Sequence, residues 1–273
     1  MKHQEEDQTP NCVNIICIQW GTLYGAEYVN RLYSMILNNT TLPIKFHLFS
    51  NEELSNLNKN IIQLPEPGIK IPKAYKNYNY RRSAGFCDNN LGGLNGQRVF
   101  SFDLDVLIMS NLDDLFKYPK DDNFYIINDW NTKGNHVGQG TCYSFVVGTL
   151  GFIKEHFEAN PEKVLKEFGS ATQQYLSAKI IEKFGQLNFW PEAWFQSFKY
   201  HCLPKPFLRH FLTPKKPKLG TKLLAFHGNP NLEDAIIGRW AAPTAKKPAT
   251  GLKKFYKTCR PTPWIVEIWK RAE

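Results

Sequence analysis

The ten residues VFSFDLDVLI, from Val99 to Ile108, decide how this 273-residue chain is read. A run of apolar residues enters Asp103-Leu104-Asp105 and another leaves it, so two carboxylates stand where a buried strand ends. Residues two apart on extended chain project to the same side, and where the strand leaves its sheet both carboxylates can meet at one cation through hard oxygen ligands. A divalent ion held there could bridge the phosphates of a nucleoside diphosphate and neutralise the charge that grows as it departs. A D-x-D alone is weak evidence, because acidic pairs are common on surfaces; its apolar flanks are what give it weight.

Outward from that strand the pattern is α/β. Asn14 to Gln19 (NIICIQ) is a β-branched strand, Trp20-Gly21 a turn, and Tyr28, Val29, Leu32, Tyr33, Ile36 and Leu37 recur at helical spacing. Phe46 and Leu48 mark a second strand and Ile61 to Leu64 a third, so the chain opens as the βαββ half of a Rossmann-like nucleotide-binding sheet. Beyond the aspartates, Asn111 to Phe116 reads as a capped helical turn, and strands are expected over Phe124 to Asn128 and Tyr143 to Thr149. The Gly/Asn-rich stretch between them, Asp129 to Thr141, reads as a long functional loop. Helices follow over Gly151 to Glu158, Pro161 to Phe168 and Ala171 to Phe184, and Leu223 to Phe226 is a last strand. The expected architecture is a mixed sheet flanked by helices over residues 1–240, with a basic extension over 241–273.

Composition excludes several classes. With 42% hydrophobic, 14% aromatic and 22% charged residues the chain is neither disordered nor fibrous. Its net charge of +9 is unevenly placed: from Lys199 onward there are 16 Lys/Arg against four Asp/Glu, whereas Met1 to Phe198 carries 18 against 21. Such asymmetry draws anionic partners to one region. Lys205 to Lys222 alternates with prolines and fits no nucleic-acid module, so no nucleic-acid partner is expected. Trp264, Ile265, Ile268 and Trp269 beside Lys270 and Arg271 read instead as an interfacial segment for an anionic membrane surface. Six scattered cysteines without a CxxC pair read as free thiols. The polar, acidic start and the lack of an apolar run of about 18 residues point to a cytoplasmic protein, soluble or peripheral at the inner face of a membrane.

Two further features carry chemistry. His227, in LLAFHGNP, ends the last strand; its imidazole suits a manganese or magnesium site shared with Asp103 and Asp105, and Gly228 would let backbone approach a phosphate. The turn Trp20-Gly21-Thr22-Leu23-Tyr24 follows the first strand, where open α/β sheets bind ligands, and it could stack on a nucleobase or simply pack in the core.

Taken together, IQWGTLYGAEYVNRL, FHLFS, VFSFDLDVLI, FWPEAWFQSFKYHC and LLAFHGNP resemble, in order, the motifs of bacterial nucleotide-sugar glycosyltransferases of the GT-A fold, over roughly Asn14 to Asp234. The resemblance is to retaining enzymes of the glycogenin-like and lipopolysaccharide galactosyltransferase-like group. It implies that Asp103 and Asp105 bind the Mn2+ or Mg2+ of a UDP-sugar or similar donor, that His227 completes that site, and that configuration is retained. It also implies donor contacts from Trp20, Gly21, Tyr24, Leu104, Gly228 and the basic pair Arg81 and Arg82, the last two toward diphosphate. Glu192 and Trp194 of WPEAW would hold a glycan, lipid-linked or protein acceptor, and Trp190 would pack in the core. No catalytic acid pair is evident; Asp129, Gln174 and Glu192 are the candidates. Two departures stand out: Ala171-Thr172-Gln173-Gln174 lacks the acidic residue usual in relatives, and the HG motif continues as Asn229-Pro230-Asn231.

A haloacid-dehalogenase-like phosphatase also carries hhhDxDxh, with the first aspartate as nucleophile, but on its opening strand rather than about a hundred residues in. A non-catalytic nucleotide- or glycan-binding protein of the same fold would suit the missing acidic residue.

Overall fold

A computed structural model describes residues 12–132, 134, 136–241, 251 and 256–270. Its main sheet has seven strands in the order β3-β2-β1-β4-β7-β6-β8. These are β1 (Val13–Gln19), β2 (Ile44–Ser50), β3 (Ile61–Pro65), β4 (Arg98–Phe102), β6 (Tyr125–Asn128), β7 (Gly138–Val146) and β8 (Asn188–Phe189). Strands β1 to β4 run parallel, β7 is antiparallel to β4 and β6, and β8 is parallel to β6. The carboxyl ends of β1, β2, β4 and β6 therefore share one edge. The expected mixed α/β sheet is the one observed, and the aspartates follow β4, in the middle of the sheet, rather than the opening strand β1.

Strand β1 explains why its sequence is continuously apolar rather than alternating. Val13, Ile15 and Cys17 face one hydrophobic cluster and Ile16 and Ile18 the other, so both faces of the strand are covered. The first face is roofed by α1 (Ala26–Leu37), which buries Tyr28, Val29, Leu32, Tyr33, Met35 and Ile36. The second is roofed by α4 (Gly151–Ala159), α5 (Pro161–Phe168), α6 (Thr172–Phe184) and the short α2 (Tyr80–Ser83). A smaller sheet, β5 (Val106–Ile108), β10 (Leu223–Ala225) and β9 (Phe195–Ser197), closes the first face, with α3 (Asp113–Lys117) and α7 (Leu232–Ile237) beside it.

Two expectations shift. The Gly/Asn-rich loop is shorter than its composition implies, because β7 begins at Gly138: pairing of Gly138 and Gln139 with Asn128 and Ile127 of β6 overrides the poor strand propensity of Gly-Gln-Gly. The C-terminal segment is a helix, α8 (Pro263–Lys270), whose apolar side packs on the protein, with Trp264 and Ile265 buried and Ile268 and Trp269 half-buried against the core. Trp264 and Ile265 are buried in the same cluster as β1 and α1, and Trp269 meets Tyr28 edge-on at 5.7 Å between centroids, with the Arg31 guanidinium 3.9 Å from its ring centre. Residues 242–250, 252–255 and Arg271, the rest of the expected extension, lie outside the described residues. No described helix is long and apolar enough to cross a membrane.

Candidate active site

The chain leaves the main sheet at Phe102 and enters the smaller one at Val106, so Asp103-Leu104-Asp105 is the crossing between them. Leu104 anchors it: its side chain is buried in the core, which leaves only its backbone to meet a ligand. The Asp103 amide donates to the Thr141 carbonyl of β7 at 2.9 Å. Arg82, on α2 and buried, donates through Nη1 to Asp103 Oδ1 at 2.5 Å and through Nη2 to Ser101 Oγ at 3.2 Å and the Thr141 carbonyl at 3.3 Å. Burial works against the guanidinium's charge, but Asp103 together with Tyr143, Cys142 and Asp105 outweighs it and the pKa is raised. Tyr24 donates its hydroxyl to Asp105 Oδ2 at 3.0 Å.

Burial, and then the Asp103 charge beside it, push Asp105 up to about 7. Burial likewise raises Asp103, against the pull of Arg82. Two carboxylates that hinder each other's ionisation are a donor set in want of positive charge, and their hard oxygens fit Mg2+ or Mn2+.

The remaining predicted residues divide between two cavities and the core. A cavity of about 110 Å³ opens beside the pair, lined by Arg82, Asp103, Gly140 and Gln173 among others. Gln173 Oε1 accepts the Gly140 amide at 3.3 Å, whereas Gln174 is exposed on α6. The sequence expectation is thus one residue out of register, because Tyr175, Leu176 and Ser177 turn the helix so that Gln173 flanks its buried face. A larger cavity of about 270 Å³ lies at the end of β6, lined by Asn128, Trp130, Glu192, His201 and Lys218 among others. Asp129 is buried at its rim; Oδ2 accepts the amide and hydroxyl of Thr132 at 3.0 and 2.6 Å, while Oδ1 has no hydrogen bond among the described residues.

Trp194 does not line this cavity. It packs edge-on to Tyr118 at 5.3 Å with Lys222 Nζ 5.1 Å from its ring centre. Trp190 is 3% exposed, donates to the Cys142 carbonyl, and belongs to the core as expected. At the first turn, Gly21 has a φ of +69°, which glycine adopts freely, and its amide donates to Asn51 Oδ1 at 3.3 Å. The Trp20 ring is half-buried against the second core cluster, with Arg81 5.3 Å from its centre, so one of its faces is already covered. Arg81 is itself tied to Glu66 at 2.8 Å rather than open to diphosphate.

His227 differs most from expectation. It lies two residues beyond the end of β10, and β10 pairs with β5, which directly follows Asp105, so the backbone brings all three predicted ligands to one edge. The side chain turns away: Nε2 meets Ser197 Oγ at 2.7 Å and the ring stacks on Trp130 at 5.4 Å. Among the described residues no group of three or more His, Cys, Asp or Glu is placed to hold a metal. The imidazole of His227 is instead engaged by Ser197, on β9 beside β10, and by the flat face of Trp130. Burial and then Lys199 lower the His227 pKa, against Asp129, and favour the neutral ring. Gly228 is exposed beyond it, with a φ of +72° and open space around its α-carbon.

Sequence reasoning passed over Gln173, Ser197, His201 and Trp130. Ser197 and His201 lie inside the FWPEAWFQSFKYHC stretch and were within reach of its motif; Trp130, beside Asp129, had no periodic signal of its own.

Open α/β sheets take their ligands beyond the carboxyl ends of their strands, which is where these acidic residues lie. Several solved glycosyltransferase structures share this architecture, and the chain has the GT-A fold. It superposes on a glutamine-to-glutamate active-site mutant of LgtC with a TM-score of 0.54 at 11% identity, covering 96% of this chain and 100% of that one. The galactosyltransferase LgtC in complex with donor and acceptor sugar analogues gives 0.52 at 12%, covering 94% and 95%. Apo GlyE of Streptococcus pneumoniae TIGR4 gives 0.51 at 10%; it covers 95% of this chain, which spans only 60% of GlyE. No protein-family model matches the sequence, and no curated protein matches it.

Proposed function

We propose that the protein is a divalent-metal-dependent glycosyltransferase that moves a sugar from a nucleoside diphosphate, UDP in the first instance, to a hydroxyl of a glycan or lipid-linked acceptor. The observation that carries this is the Asp103/Asp105 pair, held by Arg82 and Tyr24 at the crossing between the two sheets, with a cavity opening at Arg82 and Asp103. Residues 1–240 supply the catalytic domain, with α8 completing its core.

In this reading each residue has a task its geometry suits. Arg82 and the Thr141 carbonyl fix Asp103, and Tyr24 fixes Asp105, so the two carboxylates are oriented before anything binds. A divalent cation bound by the pair would supply charge neutralisation for the departing diphosphate. The smaller cavity, with Gln173 and Gly140, takes the donor sugar. The larger takes the acceptor, where Trp130 offers an apolar face and Glu192 and His201 offer hydrogen bonds. Asp129, with one buried oxygen left bare, is the candidate to accept a sugar hydroxyl. Retention of configuration belongs to the proposal and rests on the HG motif alone.

The test is calorimetric titration of UDP with and without Mn2+, on the wild type and on Asp105→Asn. Mn2+-dependent binding weakened at least about tenfold in the variant is expected, since a carboxamide supplies no charge to a hard cation. UDP binding indifferent to both metal and substitution, or no binding of any nucleoside diphosphate, would overturn the reading.

A further inference from the structure

The apolar side chains of α8 pack on the core, yet the basic region contains a second apolar group that does not. Between Leu203 and Gly220 the chain leaves the domain as a loop closed at its base: the Lys215 amide donates to the Cys202 carbonyl at 3.0 Å, and Trp264 of α8 donates to the Pro214 carbonyl at 2.9 Å. Within it a single turn over Pro206–His210 is continued by the Leu212 amide bonding the Leu208 carbonyl at 2.9 Å. Phe207 and Phe211, and Leu208 and Leu212, thus stand four residues apart on adjoining turns. Phe207 is 79% exposed and Phe211 76%, and Leu208, Leu212 and Leu219 are exposed with them. A loop fixed at its base and apolar at its tip presents a surface that water disfavours.

Charge identifies the occupant. No Asp or Glu occurs between Ala193 and Leu232, and Lys205, Lys215 and Lys218 are exposed around the apolar group. Lys216 makes a long ion pair with Glu267 at 3.8 Å, and Arg209 is bonded to the Pro204 and Tyr256 carbonyls. Two copies of such a patch would repel face to face, whereas aromatic side chains ringed by lysines suit lipid headgroups and the upper acyl region of an anionic bilayer. Lys218 and Leu219 of the same loop also line the larger cavity, so a bilayer at the loop lies beside the cavity mouth.

We infer that the 203–220 loop docks the protein on an anionic lipid bilayer through Phe207, Leu208, Phe211 and Leu212 with the surrounding lysines. The chemical consequence, which rests on the glycosyltransferase reading, is that the acceptor is a glycan carried on a membrane lipid. The docking itself is independent of that reading.

The experiment is co-sedimentation of the full chain with vesicles of phosphatidylcholine alone and with phosphatidylglycerol added to about a third, at low and at high salt. It compares the wild type with Phe207→Ser/Phe211→Ser and with Lys205→Gln/Lys215→Gln, each first shown by thermal melting to be as stable as the wild type. Expected are binding of the wild type to the anionic vesicles only, weakening with salt, and a loss of about tenfold or more in both variants. No anionic-vesicle binding by the wild type, or equal binding by the Phe variant, would overturn the inference. So would a dimer in sedimentation velocity that the Phe variant dissolves while no vesicle binding occurs. UDP titration on the same samples reads the glycosyltransferase proposal separately, because vesicle binding needs no nucleotide.

Discussion

The strongest test of where the C-terminal segment belongs is the loss of one indole. Trp264 is 6% exposed, lies among Phe198 and the α7–α8 contacts, and its Nε1–H is the partner of the buried Pro214 carbonyl. Trp264→Ala removes the packing of a large aromatic, worth about 3–5 kcal/mol, and leaves that carbonyl without its donor, worth about 1 kcal/mol more unless water enters. A total of about 4–6 kcal/mol is a large fraction of the roughly 5–15 kcal/mol that holds a typical domain together. For a chain of this size each kcal/mol moves the midpoint by about 2–4 °C, so the melting temperature should fall by roughly 10 °C or more. Trp264→Phe restores most of the ring and not the hydrogen bond, and should fall by about a third as much.

Differential scanning calorimetry of the three proteins, with urea unfolding as a second probe, reads this directly. A Trp264→Ala melt within about 2 °C of the wild type would refute the packing argument. If that stable variant also lost affinity for anionic vesicles, the helix would be an interfacial segment after all, and the loop at 203–220 would lose its claim to that role.

Two further outcomes follow from single side chains. Gln173→Ala should weaken donor binding about tenfold, the worth of one neutral hydrogen bond, while Gln174→Ala stays within about twofold; calorimetric or turnover measurements that reverse this order would show the helix register to be wrong. Burial works to raise the Asp113 carboxyl, but hydrogen bonds from the Thr40 hydroxyl and from both the amide and hydroxyl of Thr41 together outweigh it and hold the group at about 2. Because the folded pKa lies below the unfolded value, the stabilisation is complete above pH of about 4 and disappears as the pH falls toward 2. Discounted for solvent screening it amounts to about 1 kcal/mol, so urea-unfolding curves of the wild type and Asp113→Asn should differ by that much at pH 7 and converge near pH 2.

What the sequence disclosed depended on how locally each feature is encoded. The βαβ opening and the helices after Gly151 were legible because apolar spacing over ten or more residues is a strong periodic signal. Strands β8 and β9, two and three residues long, contain less than one full period of any pattern, and only their neighbours make them strands. The start of β7 at Gly138 is likewise imposed by its partners. The segment at Trp264 shows a different failure: an apolar stripe beside basic residues is written the same way for a helix on a core and a helix on a membrane, and only the tertiary partner tells them apart.

The site illustrates the same division between backbone and side chain. The sequence order of strands sufficed to bring Asp103, Asp105 and His227 to one edge, because strand ends are fixed by topology. Whether an imidazole at that edge points toward the carboxylates is settled over the last few ångströms by whichever partner is nearest, here Ser197 on the adjacent strand at 2.7 Å. One hydroxyl hydrogen bond of about 1 kcal/mol and a stacked indole are a modest hold compared with a metal–nitrogen bond. The neutral state favoured for His227 is also the one that a metal requires of an imidazole. On the proposed metal-dependent reading, the neutral ring stands at the right strand end and is held off the carboxylates by contacts weaker than a metal–nitrogen bond, while Asp103 and Asp105 are oriented by Arg82 and Tyr24.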